Sequence, residues 1–393
     1  MSYKPKEMIP LLKVFMPPVD EVLDALRPVL ESGWIGEGPK VKELEGKFAE
    51  RFDTTFVNAV CSGTVGLDLI AMLLDIAPGD EILMSPLTCT AGTLPFLRAG
   101  AKIVWADVDT ETGNIDPNSV SQLITNKTKA VAAVHWGGYP IDMYRLRAAV
   151  SQGPGQYINI IEDAAHANGA YYHGRPVGVC NYGLGKHSDF CMFSLQAVKQ
   201  MTSIDGGLVT TYKAEDYEHI RVLRWYGIDR RYRRKALTGH DDWEIMEVGL
   251  KGHMNDVSAT IGLSQLPYLD ENLEIRRLNA MFYDDKLMNV PGILSLPVPL
   301  HEQMKVGTKS AYYLYTIFVE KRDDFIRAMR DRNIHTSVVH VRNDKYAVFS
   351  EFKSKECLHN LEYCDKHQIS IPVGHWVTSE DAEYIVEMIK KGW

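Results

Sequence analysis

Apolar positions at the start of the chain recur at helical spacing. Residues 19–31, VDEVLDALRPVLE, also carry acids in what would be the first turn. Pro28 is expected to bend or shorten this helix. The Gly-rich loop SGWIGEGP (32–39) follows, and Val41–Phe52 returns to helical period. Trp34 and Ile35 in that loop fit packing on the core, or the lip of a site or subunit contact. From residue 56 the pattern changes. Apolar runs of strand length occur at 56–60, 82–84, 102–105, 129–134, 157–161, 189–194 and 207–211. Many lack period-two alternation, as strands buried on both faces do. Helical stretches at 64–76, 90–98, 117–124 and 142–150 lie between several of them. The pattern predicts an α/β fold with a mostly parallel, doubly covered sheet of about seven strands.

Beyond Gly207 the order breaks. Residues 213–226 read as helix, 227–250 as a long charged loop and 253–287 as helix. The remainder mixes strands (Tyr312–Val319, Thr336–His340) with helices (Arg322–Arg332, Ser379–Lys391). The expected organisation is a large domain over 19–265 and a smaller α+β domain over 266–393, with 1–18 packing on the latter.

Composition narrows the function classes. The 393 residues are 45% hydrophobic and 24% charged, enough chain for a large core. A net charge of −8 gives no basic bias toward nucleic acid, and no polybasic block points to a membrane surface. The cluster Arg230, Arg231, Arg233, Arg234, Lys235 is local and fits a solvated loop better than a phosphate site. Six cysteines, at 61, 89, 180, 191, 357 and 364, form no C-x-x-C pair. They read as reduced thiols of a cytoplasmic protein, and the N-terminus lacks an apolar signal core. The histidines show no metal-ligand spacing, so no metal is expected. Gly185-Lys186-His187-Ser188 imitates a P-loop, but Cys180 stands where glycine belongs and His187 where Ser or Thr belongs. No G-x-G-x-x-G follows the first strands, which disfavours a Rossmann dehydrogenase.

Three weak signals share one arrangement. Cys61-Ser62-Gly63-Thr64 links a strand to a helix N-terminus, where free N–H groups and the helix dipole suit a phosphate; Ser62 and Thr64 equally serve as plain caps. Asp163 ends the run Asn159–Asp163, and a carboxylate buried there calls for a cation. A helix N-cap role fits it as well, and Glu162 points to the other face, expected to pair with an arginine. Lys199 lies between Phe190–Leu195 and the strand after Asp205-Gly206-Gly207. Partial burial would lower its pKa and suit it to Schiff-base formation. Cup, acid and lysine, each at a strand end, are what pyridoxal 5'-phosphate (PLP) requires: a phosphate site, a partner for the protonated ring nitrogen and an amine. Ser194 could reach the phosphate.

The chain also resembles the DegT/DnrJ/StrS group of sugar-nucleotide aminotransferases, fold-type-I PLP enzymes. The resemblance runs from about Ile9 to the C-terminus. It is carried by SGWIGEGPKVKELEGKFAERF (32–52), CSGTVGLDL (61–69), PGDEILMSP (78–86), AGAKIVWADVDTETGNIDP (99–117), EDAAHANGA (162–170), FSLQAVKQMTSIDGG (193–207) and GLKGHMNDVSATIGLSQL (249–266). It implies that Lys199 forms the Schiff base and moves the proton, that Asp163 contacts the ring nitrogen, and that His166 lies near the ring. Gly63, Thr64 and Ser194 match the phosphate contacts, and Lys251 aligns with a phosphate contact made across a homodimer with shared sites. Relatives place a ring-stacking aromatic after Thr88, where this chain has Cys89. The segment Val179–Ser188 is longer than in many relatives and is expected to shape the substrate pocket. Retention of Lys199 separates the chain from the histidine-bearing dehydratases of the group. The resemblance further implies glutamate as amino donor, pyridoxamine 5'-phosphate as the intermediate form, and a nucleotide-linked 4-keto-6-deoxy sugar as acceptor. Trp34, Arg224, Trp225, Tyr226 and His340 are the candidate substrate contacts. A cyclitol or 3-keto sugar acceptor, and a catalytically silent sugar-nucleotide-binding protein on the same fold, are the alternatives.

Overall fold

The computed structural model describes residues 5–155, 157–180, 187–354 and 357–393. Seven apolar runs form one sheet: β1 (Phe56–Val60), β2 (Glu81–Met84), β3 (Lys102–Trp105), β4 (Thr128–Val134), β5 (Asn159–Asp163), β6 (Phe190–Ser194) and β7 (Gly207–Thr211). Their order across the sheet is β1-β7-β6-β5-β4-β2-β3. β7 runs antiparallel to both neighbours, and the remaining pairs are parallel. Alternate residues of a strand enter different cores. Met84, Ala132, Ile161 and Met192 pack on one face, Leu83, Val131 and Ile160 on the other. Burial on both faces is why these runs read as continuous rather than alternating.

The parallel order sends every β1–β6 chain reversal that matters to one edge. The carboxyl ends of β1, β2, β4, β5 and β6 release Cys61, Ser85, His135, Ala164 and Leu195 there. That edge is where an open α/β sheet collects ligands.

A second, antiparallel sheet follows in the order β8 (Ile293–Ser295), β9 (Tyr315–Val319), β10 (Gln368–Ile371). Its core gathers Ile317, Val319, Phe325, Ile369, Ile371 and Ile385 with Ile9 from the N-terminal segment. The helix Leu269–Leu287 serves both cores. Leu269 and Leu273 pack with the large sheet, Ala280, Tyr283 and Leu287 with the small one.

Three local expectations change. The helix Val19–Ser32 continues through Pro28 and closes on Gly33, whose φ is 69° and whose N–H donates to Leu30. The carbonyl that Pro28 leaves without a donor belongs to Asp24, an exposed residue on the solvent side of the helix. Residues 336–340 do not form a strand. Val339 has a φ of 64°, which turns the chain, and a single bridge, Ser337 to Ser370, remains. The short helices Leu300–Lys305 and His359–His367 and the strand β10 lie where the sequence shows little periodicity.

Candidate active site

The cup forms where β1 enters the helix Gly63–Leu73. Ser62 caps it in extended conformation, its Oγ accepting the Val65 N–H at 3.2 Å. The first N–H groups of this helix have no intrahelical acceptor by position. A Cβ on Gly207 would lie 2.7 Å from the Gly63 nitrogen, so glycine is what lets β7 back the cup. Gly207 pairs with Ser194 across the ladder, and Ser194 in turn packs against Gly63. Ser62, Gly63, Thr64 and Ser194 therefore share one neighbourhood. Lys251 is exposed at its rim: Cys61 N–H donates to Gly252 at 2.8 Å, and Val60 bridges His253.

Asp163 is buried at the end of β5, its Oδ1 accepting the Ala165 N–H at 3.0 Å. Burial raises its pKa, while that N–H and the charges of Lys199 and His135 act in the opposite sense. Lys199 is partly buried after β6, with Nζ 4.4 Å from the centre of the Tyr313 ring. Burial pulls its pKa from the usual 10.5 down to about 8, and Asp163 and then Cys89 partly oppose that. Cys89 is half-buried ahead of the 3₁₀ turn Thr90–Gly92, so no ring stands at that position.

Aromatic groups stand nearby instead. The His166 ring stacks on Tyr313 at 4.3 Å and 22° and lies parallel to His340 at 5.7 Å and 5°. Trp136 meets both histidines, at 5.7 and 5.9 Å. His166 Nδ1 and His340 Nε2 are buried without hydrogen-bond partners among the described residues. Burial, with the Lys199 charge, lowers both imidazoles, His340 to about 4 and His166 well below its ordinary value. Both are neutral at pH 7. The backbone at Tyr312 (φ 40°) and Val339 (φ 64°) is left-handed, immediately before Tyr313 and His340. Non-glycine residues held in this region cluster at functional sites.

The other candidate contacts separate. Arg224 is 2% exposed, its guanidinium donating to Glu45 Oε1, Glu37 Oε1 and the Ala59 carbonyl, each at 2.7 Å. Burial lowers its pKa, but the two glutamates outweigh that and raise it. Arg224 thus ties β1 to the 32–52 segment, its guanidinium held by two acids of that segment. Trp225 packs edge-on against His253 at 4.0 Å, while Tyr226 and Trp34 are 40% and 60% exposed. Trp34 Nε1 donates to the Glu37 carbonyl at 3.0 Å. Glu162 pairs with His135 Nε2 at 2.9 Å and with the Ser188 hydroxyl, where an arginine was expected. Of the basic cluster, Arg230 pairs with Glu37, Arg231 with Asp229 and Glu218, and Arg233 with Asp241. Within Val179–Ser188, residues 181–186 lie outside the described residues. Sequence reasoning passed over Trp136, Tyr313, Asn168 and Gln200. The W-G-G turn after β4 was a usable signal for the first; Asn168 and Gln200 lie within stretches 162–170 and 193–207 quoted above but were not singled out there, and Tyr313 carries no local signal.

A lysine at one strand end, a buried acid at the next and a helix N-terminal cup on this sheet order define the class of fold-type-I PLP-dependent transferases. The chain matches the DegT/DnrJ/EryC1/StrS aminotransferase family over residues 19–390 and belongs to it. It is similar to the UDP-4-amino-4-deoxy-L-arabinose--oxoglutarate aminotransferase of Shewanella sediminis, 31% identical over 98% of each chain. It is also similar to the spore coat polysaccharide biosynthesis protein SpsC of Bacillus subtilis, 32% identical over 94% of each. Among solved structures, AtS13 from Actinomadura melliaura matches with a TM-score of 0.89 at 38% identity, covering 99% of this chain and 100% of that one. The sugar aminotransferase CalS13 from Micromonospora echinospora matches with a TM-score of 0.89 at 35% identity, covering 98% and 100%. The protein is a PLP-dependent aminotransferase.

The residues present fit that cofactor. Asp163 is a carboxylate whose burial raises its pKa despite the opposing Lys199 and His135 charges, and a protonated ring nitrogen would give it a direct cationic partner. A Cβ on Gly92 would lie 3.0 Å from Asp163 Oδ2, so the glycine leaves this carboxylate room. The orphaned His166 Nδ1 and His340 Nε2 add polar atoms in want of partners on the same side.

Proposed function

We propose that this aminotransferase moves the amino group of L-glutamate to the keto group of a nucleotide-linked sugar, a 4-keto-6-deoxyhexose in the first instance. Supporting the acceptor class are the similarity to the Shewanella enzyme and CalS13, whose names carry a sugar substrate. The observation that carries the chemistry is the convergence of Lys199, Asp163 and the Gly63 cup at one sheet edge.

PLP, when bound, supplies an electron sink for the carbon bearing the transferred nitrogen. The chain's own residues do the rest. The helix N-terminus at Gly63 and Thr64, with Ser62 and Ser194, would hold the phosphate. Asp163 would keep the ring nitrogen protonated by offering its carboxylate. Lys199 Nζ, its pKa lowered to about 8, is a competent base at the substrate carbon and a competent acid when it returns the proton. Trp136, Tyr313, His166 and His340 wall the amine and exclude water. His340 is our candidate for the sugar end of the pocket; Trp34, Trp225 and Tyr226 are candidates for the outer, nucleotide end.

We further infer a homodimer in which Lys251 reaches the partner's phosphate site. Exposed apolar side chains at Trp34, Ile35, Leu237, Ile245 and Met246 support a partner surface. No helix among the described residues is long and apolar enough to cross a membrane, and the free thiols suit a cytoplasmic location. The test is a panel of keto sugar nucleotides with glutamate, read by mass. Aminated product from a 4-keto-6-deoxy sugar is expected. Product only from a cyclitol or 3-keto sugar would move the acceptor class, and no product from any would sink the proposal.

A further inference from the structure

Two buried amides cross between the turns that carry the chemistry. Asn168 lies in the turn after Asp163 and is 0% exposed; its Nδ2 donates to the Ser194 carbonyl at 3.1 Å. Gln200 follows Lys199 and is 2% exposed; its Nε2 donates to the His166 carbonyl at 2.6 Å. Each turn thus sends one amide to the backbone of the other. Orientation is fixed by chemistry, since a carbonyl can only accept and the amide nitrogen must face it. The outcome is costly: Asn168 Oδ1 and Gln200 Oε1 are buried without partners among the described residues. Leaving an acceptor unsatisfied costs roughly 1–3 kcal/mol. Leucine or methionine at these positions would avoid that loss, so packing alone does not account for the amides. What they uniquely do is fix the 163–168 turn against the 194–200 turn.

We propose that Asn168 and Gln200 form a reciprocal amide brace that sets the spacing between Asp163–His166 and Lys199, acting as positioning residues for amino transfer. The inference rests on the reading of Lys199 and Asp163 given above. The brace meets the cup only at the Ser194 backbone carbonyl, and its two bonds involve neither the Ser194 hydroxyl, Gly63 and Thr64 nor Lys199 Nζ. Its loss should spare phosphate binding and degrade the alignment of the amine with the reacting carbon. Misplacement by about 1 Å is enough to cost roughly 100-fold in rate.

The experiment uses full-length PLP-loaded enzyme. Gln200→Met should hold PLP within about threefold of wild type, because the cup is intact. It should be bleached by L-glutamate roughly 100-fold more slowly, at an unchanged half-saturating concentration. The pH midpoint of the cofactor's visible band should move. Asn168→Ala should share this signature, and the double variant should be no slower than the slower single one. A wild-type rate and midpoint in Gln200→Met, a loss confined to PLP affinity, or singles whose effects multiply would each overturn the brace. If Gln200→Met does not fold, Gln200→Glu serves, because it can donate only when protonated. Its rate should recover as pH falls, and a pH-independent rate would overturn the proposal. The spectral midpoint needs no substrate. It judges the brace even where wild type fails to react with glutamate, a failure that would fall on the proposed function instead.

Discussion

Replacing Asp163 with Asn tests the charge balance around Lys199. Burial lowers this lysine to about 8, and the Asp163 carboxylate opposes the shift. At pH 7 a pKa near 8 rather than 10.5 makes the neutral amine roughly 300-fold more abundant, since each unit is tenfold. Asparagine keeps the shape and removes the opposing charge. Lys199 should therefore titrate lower still in Asp163→Asn, with more neutral amine at pH 7. The apoenzyme amine becomes a better nucleophile while the holoenzyme becomes a poorer catalyst, because the ring nitrogen loses its partner. The assay is labelling of apoenzyme by trinitrobenzenesulfonate across pH, with the Lys199 peptide followed by mass spectrometry. Wild type should show a midpoint near 8 and Asp163→Asn a lower one. A wild-type midpoint at the ordinary lysine value, or an upward shift in the variant, would falsify the argument.

Other outcomes follow from the same geometry. Apo Lys199→Met should unfold at a higher temperature than wild type at pH 7, by up to ~3 kcal/mol of stability. The folded lysine binds its proton less tightly than the unfolded one, so wild type gains stability between pH 8 and 10.5 and the gap closes there. Gly92→Ala should crowd Asp163, at 3.0 Å, and weaken PLP binding in equilibrium dialysis while leaving the melting temperature nearly unchanged. Arg224→Met leaves Glu45 without its cation and Glu37 with only the exposed Arg230, and should cost about 3 kcal/mol in urea unfolding, with Arg224→Lys recovering only part of it. Wild-type stability in Arg224→Met would contradict this reading of the ion pairs.

The strands of the large sheet were legible because burial on both faces leaves apolar runs unbroken by polar alternation. Asp163 and Lys199 stood out for the same reason: each is a charge at the end of such a run. The ion pairs of Arg224 were hidden because its two acids lie far away in sequence, at Glu37 and Glu45. Of the group of His166, Trp136, Tyr313 and His340, the two histidines were named only through the family resemblance, and Trp136 and Tyr313 not at all. Its members come from distant elements, and left-handed residues at Tyr312 and Val339 aim two of them, which no local pattern signals. The brace of Asn168 and Gln200 was hidden likewise, since an amide's partner is set by tertiary approach. Cys89 shows the converse: the missing ring was visible in sequence, but the rings standing elsewhere in the cleft were not.

The central claim is that Lys199 holds the cofactor and moves the proton. Borohydride reduction of the yellow holoenzyme, followed by digestion and mass spectrometry, addresses it directly. A pyridoxyl adduct is expected on the peptide containing Lys199 and should be absent from Lys199→Met. An adduct on another lysine, or none on reduced wild type, would contradict it.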